Sequence, residues 1–278
     1  MAGAAQAARQ ERRGARLGRK QRVTNEDWQR AYATCTKHVS KAHVDALLDR
    51  TVEQIRRVIA GKRVAYGWSG GKDSSALGFV MAQAGVGGCM LAIAEDLEYP
   101  AFLKWAAANG PKHLSIIDVG LDLKWLAKRP HMLFPQDSKT AGQWFRLIQH
   151  KAQTKYFKAQ ELDMIALGRR RADGNYTGKD GSGIYRNRVG VVRYCPLQHW
   201  THEEVLALIR YYGLPLAPIY DWPNGWVVGT GAWPARQWTK GVMDGWSQVY
   251  AIDPQVVHRA AGYLASAEKF LRKKEGGR

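Results

Sequence analysis

The sequence predicts an α/β fold: a parallel sheet flanked by helices on both faces, with helical N-terminal and C-terminal additions. Three observations predict it. From residue 63 onward, short apolar runs alternate with segments of helical period, a pattern that calls for crossover connections and a parallel sheet. A glycine-rich turn, Ser69-Gly70-Gly71-Lys72-Asp73-Ser74-Ser75, separates the first such run from the first such helix. The other polar signatures also fall at the carboxyl ends of expected strands, where ligands gather in sheets of this kind.

The elements follow in order. One or two helices are expected from Asn25 to about Ala60, with Thr24 as a cap and Glu26 and Asp27 in the first turn, where acids suit the helix dipole. Val44, Leu47, Leu48, Val52 and Ile55 recur at helical spacing, and Gly61 ends the run. Arg63–Trp68 reads as a strand and Ser74–Ala84 as a helix. Cys89–Ala94 is a second strand, Pro100–Asn109 a helix with Pro in its first turn, Leu114–Asp118 a third strand and Leu121–Lys128 a short helix. Lys139–Gln160 reads as one long amphipathic helix, and Leu162–Leu167 as a fourth strand. Residues 172–190 are rich in Gly, Asn and Asp and read as a loop. Thr201–Tyr212 carries the capping-box spacing Thr201…Glu204. Residues 213–247 hold five Trp with many Gly and Pro and read as irregular packed chain; Asp253–Lys274 reads as a last helix. The expected organisation is a basic, disordered arm over 1–24, a helical extension over 25–61, a nucleotide-binding domain over 62–221, and a Trp-rich loop with a terminal helix over 222–278.

The chain has 278 residues and a formal charge of +18, from 42 Lys and Arg against 24 Asp and Glu. Two readings of that charge stand side by side: solubility, or an electrostatic footprint for nucleic acid. Seven of the first 22 residues are Arg or Lys, against one acid, Glu11. An Arg- and Ala-rich start imitates an organelle transit peptide, but a phosphate-touching basic arm is the preferred expectation. No apolar run is long enough to cross a membrane. Three widely spaced cysteines, Cys35, Cys89 and Cys195, suggest neither a disulfide framework nor a cysteine metal site, and point to a reducing, cytoplasmic compartment. The oligomeric state stays open.

The turn after the first strand has the layout that phosphate binding needs. Gly70 and Gly71 let the backbone approach an anion and take positive φ, successive N–H groups form a nest, and the following helix aims its N-terminus at the same point. Lys72 adds charge, and Ser69, Ser74 and Ser75 add hydroxyls. Asp73 does not favour a bare phosphate; its expected role is to hold magnesium or to orient the loop. The loop is not of the Walker A type, because Lys72 is followed by Asp73 and Tyr66 stands where the opening glycine belongs.

The Ser-Gly-Gly-Lys-Asp-Ser run after a first strand resembles the PP-loop superfamily, which holds the ATP pyrophosphatases and the related phosphoadenylyl sulfate (PAPS) reductases. The resemblance implies a Rossmann-like parallel sheet, an adenine nucleotide (ATP or PAPS) with Mg2+, and cleavage or recognition at the α phosphate. Ala94-Glu95-Asp96-Leu97-Glu98-Tyr99-Pro100 resembles the family's acidic segment, although its spacing is shorter and the usual Thr-Gly is missing. Asp96 or Glu95 as a ribose or metal ligand, and an exposed acid pair at a helix entry, are equally consistent with it. Gly168-Arg169-Arg170-Arg171 resembles the family's Gly-x-Arg-Arg motif at Gly168, Arg170 and Arg171; arginine forks suit phosphate or sulfate. The run from Tyr194 to Asp221 resembles the reductase-like branch, with mostly structural residues.

One feature of that branch is missing. A sulfonucleotide reductase needs a nucleophilic cysteine late in the chain, and no cysteine follows Cys195. Three readings stay open. The first is an ATP pyrophosphatase that adenylates an acceptor, with Lys72, Asp73 and Arg170 as its catalytic residues and a nucleic acid as one acceptor class. The second is a PAPS enzyme that takes thiols from a partner. The third is a nucleotide-dependent nucleic-acid-binding module without catalysis.

Overall fold

The structure is a computed structural model and describes residues 23–276. The basic arm expected over 1–24 lies almost wholly outside the described residues. Six strands form a mostly parallel sheet in the order β3-β2-β1-β4-β6-β5: β1 Val64–Gly67, β2 Cys89–Ile93, β3 Leu114–Asp118, β4 Met164–Ala166, β5 Ile184–Arg186 and β6 Val192–Tyr194. The chain adds β2 and β3 on one side of β1 and then crosses to place β4 on the other. Strand order therefore reverses between β1 and β4, which is the position where α/β sheets open a crevice for ligands.

The described chain forms two compact units. The first comprises residues up to Cys89, Pro111–His113 and Ala159–Leu216. Here β1 runs parallel to β4, with Ala65 opposite Ile165, and β4 runs parallel to β6, with Ala166 opposite Tyr194. β5 closes the edge as an antiparallel partner of β6. Ala65, Ile165, Ala166 and Tyr194 are buried, as the short apolar runs of a covered parallel sheet require. The N-terminal segment forms two helices, α1 Asn25–His38 and α2 Lys41–Ile59. Thr24 and Asp27 make a full capping box on α1, and Val44, Leu48, Val52 and Ile55 bury one stripe of α2. α1 packs beside α8 (His202–Tyr211), where Tyr211 donates its hydroxyl to the carbonyl of Val39 at 2.9 Å. α3, Lys72–Gln83, follows β1 directly.

The second unit comprises Met90–Gly110, Leu114–Lys158 and residues from Ala217 onward. It holds α4 Pro100–Asn109, α5 Leu123–Ala127 and α6 Ser138–Phe145. A π-helical turn, Arg146–His150, joins α6 to α7 Lys151–Ala159, so the long helix expected there carries a bulge. Its C-terminal part has α9 Gly225–Val228, α10 Val242–Ile252, α11 Pro254–Ala261 and α12 Ala265–Glu275. Trp226, Trp233 and Trp246 are buried, and Trp238 is exposed. Trp233 and Trp246 lie 5.4 Å apart, and Phe134 meets Trp246 edge-on at 5.1 Å. This is the small aromatic core that a Trp-rich segment most often makes.

Besides that bulge, further elements depart from the sequence expectation. The 172–190 loop contains β5, and β6 follows it. The C-terminal helix is two helices, broken between Ala261 and Ala265. A further helix, α10, occupies a stretch expected to be largely irregular.

Candidate functional site

The first unit gathers the phosphate-loop and arginine signatures at the β1/β4 reversal. β1 ends at Gly67, the chain turns through Gly70 at φ 71°, and α3 begins at Lys72 with Gly71 as its N-cap. Gly71 has no side chain to cap the first turn, so the helix presents its N-terminal amides to an incoming anion. Ser74 stiffens the loop: its hydroxyl donates to the Gly71 carbonyl at 2.9 Å and accepts from the Ser69 amide at 3.0 Å. The Ser69 and Ser74 hydroxyls lie 3.1 Å apart. Ser75 sits in the first turn of α3, its amide bonded to the Gly71 carbonyl.

Lys72, Asp73 and Arg170 form one ion-paired row. Lys72 Nζ donates to Asp73 Oδ2 at 2.7 Å, and Arg170 Nε donates to Asp73 Oδ1 at 3.0 Å. Arg170 is fully buried and Lys72 nearly so. The guanidinium of Arg170 is held on three further sides. Nη1 donates to the Trp200 carbonyl at 3.2 Å, while Nη2 meets Asp173 at 3.1 Å and His202 Nδ1 at 3.1 Å. A buried charge needs this density of partners, because each unmade bond there leaves a desolvated group uncompensated. Burial, reinforced by Arg170 and Lys72, pushes the His202 imidazole down to about 3. It stays neutral at neutral pH and accepts from Arg170 rather than repelling it.

Asp73 was expected to hold magnesium or to orient the loop. Each of its carboxylate oxygens accepts from a cationic side chain, so Asp73 links the loop's Lys72 to Arg170. Among the described residues, no cluster of three His, Cys, Asp or Glu side chains forms a metal site.

Gly168, just after β4, is dictated by close approach. A Cβ there would stand 2.9 Å from the Asp73 carbonyl oxygen and 3.0 Å from its carbon. Arg171 does not join the row: it is exposed, and its Nε donates to Thr177 Oγ1 at 3.3 Å. Arg169 turns toward Tyr185, donating to its hydroxyl at 3.1 Å. Asp96 belongs to the second unit. Its carboxylate accepts from the Leu123 amide at 2.8 Å and pairs with Arg259 at 3.6 Å, and Glu95 donates its amide to Asp118 at 3.2 Å. The Asp96 carboxylate and the Glu95 backbone amide thus take part in contacts within that unit.

Three site residues escape the sequence reading. Asp173 stands three residues after Arg170 and binds it. His202 opens α8 directly after the Thr201 cap. Trp28 lies on α1, with Lys72 Nζ 4.6 Å from its ring centre and His202 edge-on at 4.8 Å. The spacing Arg170-x-x-Asp173 was a usable signal for the first; Trp28 has none, because only tertiary packing brings it there.

The three cysteines are all free and buried. Burial pushes the thiols of Cys89 and Cys195 up to about 11 and raises that of Cys35.

No curated relative matches the sequence. Among solved structures, the phosphate complex of a phosphoadenylyl-sulfate (PAPS) reductase from Candida auris is 18% identical with a TM-score of 0.46, covering 70% of this chain and 96% of its own. A U34-tRNA thiolase from Methanococcus maripaludis, solved with its [4Fe-4S] cluster, is 17% identical with a TM-score of 0.45, covering 84% of this chain and 78% of its own. An FMN adenylyltransferase from Candida glabrata is 12% identical with a TM-score of 0.43, covering 71% and 70%. The model of the phosphoadenosine phosphosulfate reductase domain matches residues 63–223, more than half of the chain. The chain belongs to the phosphoadenosine phosphosulfate reductase domain family, within the PP-loop superfamily.

Proposed function

We propose that the chain cleaves ATP between the α and β phosphates and transfers the adenylyl group to an acceptor. The observation that carries this reading is the pairing of a phosphate cradle with an absence of usable thiolate. The loop 69–74, Lys72 and Arg170 supply backbone amides and two cations at one point. All three thiols are buried and held protonated, whereas sulfonucleotide reduction needs a thiolate as nucleophile. In the proposed reaction an acceptor oxygen or nitrogen attacks the α phosphorus and gives its proton to solvent, the bond to the bridging oxygen breaks, and pyrophosphate leaves with the electron pair; AMP is released when a second nucleophile displaces it from the adenylylated acceptor. Lys72 stabilises the charge that develops on the phosphate oxygens, Arg170 adds its positive field from behind Asp73, and Asp73 holds both cations in register. The loop amides bind and orient the phosphates. A nucleic acid base is the proposed acceptor class, supported by the charge of +18. The cytoplasm is the proposed compartment; among the described residues no helix is long and apolar enough to cross a membrane.

The test is turnover of magnesium ATP with and without nucleic acid, following pyrophosphate and AMP. Lys72→Met and Asp73→Asn are the controls, with thermal denaturation to confirm that both fold. Pyrophosphate from the wild type, lost by at least tenfold in both variants, is expected. Sulfite from PAPS with added dithiol, and no pyrophosphate from ATP, would instead assign the chain to sulfonucleotide chemistry with external thiols.

A further inference from the structure

The edge of the sheet in the first unit carries a surface that the nucleotide site does not use. β5 is the last strand in the order. It is joined to β6 by a tight turn in which Asn187 Oδ1 accepts from the amides of Val189 and Val191 at 3.1 and 2.9 Å. Arg171, Lys179, Arg186 and Arg188, along the segment 171–188, are all exposed. Among the described residues none of the four forms an ion pair. The two acids of the segment are engaged locally: Asp173 is held by Arg170, and Asp180 accepts from Ser182 at 2.8 Å. The surface is therefore basic on balance.

It is also aromatic. Tyr176 is 51% exposed and meets Tyr185 edge-on at 4.9 Å. The Tyr185 hydroxyl is fixed by Arg169, the neighbour of Arg170. A continuous chain of contacts thus runs from Asp73 in the phosphate loop to an exposed ring: Asp73 to Arg170, along the backbone to Arg169, then Tyr185 and Tyr176. Charges on an edge strand also prevent edge-to-edge pairing, but that role does not call for a half-exposed tyrosine held against a second ring.

We infer that the Tyr176 ring and the cations Arg171, Lys179, Arg186 and Arg188 form a docking surface for single-stranded nucleic acid, which presents the acceptor base to the nucleotide site. The inference rests on the adenylylation reading above. It identifies the surface that reads the acceptor as distinct from the cradle that reads ATP. Single strands are favoured over duplex because a stacking ring needs a base face that pairing and stacking would hide. The cations serve the phosphates, which supply affinity without sequence information.

The test is fluorescence anisotropy with full-length protein and labelled mixed-sequence oligonucleotides of about 20 nucleotides, long enough for one such site. Single-stranded DNA, single-stranded RNA and duplex DNA are compared across a salt series, with heparin as a polyanion without bases. Arg186→Ala/Arg188→Ala is expected to weaken single-strand binding at least tenfold and to lower the salt slope by about 1.4, at about 0.7 per lost phosphate contact. Tyr176→Ala is expected to weaken it about tenfold, and Tyr176→Phe to retain it. ATP binding, measured in parallel, stays unchanged in all three. A preference for DNA or RNA names the acceptor strand. Equal affinity of wild type and variants overturns the inference, as does duplex or heparin binding as tight as single-strand binding with no effect of Tyr176→Ala. Loss of binding in the variants, with no pyrophosphate from the wild type, keeps the docking surface and removes the adenylylation step.

Discussion

Two buried ionisable side chains set opposite pH limits on this protein. His202 is held neutral by burial beside Arg170, its imidazole pushed down to about 3. The unfolded chain takes up a proton there near the ordinary histidine value, so the contribution is present above about 6.5 and is lost as pH falls toward 3. Glu98 is buried, one of its carboxyl oxygens lacks a hydrogen-bond partner among the described residues, and burial pushes its carboxyl up to about 8. It contributes fully below its unfolded value of 4.5, and that contribution is lost as pH rises through about 8. Melting temperature measured against pH is expected to fall on both sides of a mildly acidic optimum. Glu98→Gln is expected to remove the alkaline decline and leave the acid one. An alkaline limb unchanged in Glu98→Gln would show that another group sets it.

At the scale of elements, the join between β4 and the phosphate loop is the tightest constraint on the site. A methyl at Gly168 meets backbone, which cannot swing aside as a side chain would. Gly168→Ala is expected to cost about 1–3 kcal/mol of stability and to reduce turnover more than tenfold by displacing Asp73. Chemical denaturation and single-turnover kinetics read the two effects separately, and wild-type activity in the variant would place the close approach away from the reaction. The phosphate loop itself was legible because strand, glycine turn and helix follow one another locally, but its close approach to Gly168 joins residues far apart in the chain, and no local pattern reports it. The β5–β6 hairpin was not legible either: each strand has three residues, and their pairing is decided by neighbours elsewhere in the sheet. Asn187 and Gly190, the latter at φ 88°, were the turn signal available. α10 was hidden by Gly245, which propensity reads as a breaker. The structure gives the reason for it: a Cβ there would lie 2.2 Å from the Phe134 ring. The C-terminal break follows from Gly262 and the extended Leu264 before α12, which the basic helical pattern masked.

At the scale of the molecule, the sequence motifs located the cradle and the buried arginine, while the surroundings that fix them came from outside the motifs. Ser69, Gly71, Lys72, Asp73, Ser74, Gly168 and Arg170 lie together in the first unit, a grouping that only the family resemblance had suggested, whereas Arg171 turns to Thr177. Trp28 and His202 complete the enclosure from helices whose sequence pattern reports only burial. Amphipathic period tells that a side chain faces inward, not which functional group it meets.

The segment matched by the family model, 63–223, coincides with neither compact unit. The first compact unit takes in residues before position 63, and the second takes in the chain after 223. The polypeptide passes back and forth between the two, so a single cleavage releases neither of them whole. A recombinant fragment spanning 63–223 would leave Lys72 without Trp28 and the second unit without Trp233 and Trp246. Such a fragment is expected to show no cooperative melting transition and to be digested by trypsin at concentrations that leave the full chain intact; a sharp transition would mean the segment folds autonomously. Insertions, tags and split-protein designs therefore belong in the exposed turns of the intact chain rather than at the edges of the shared segment.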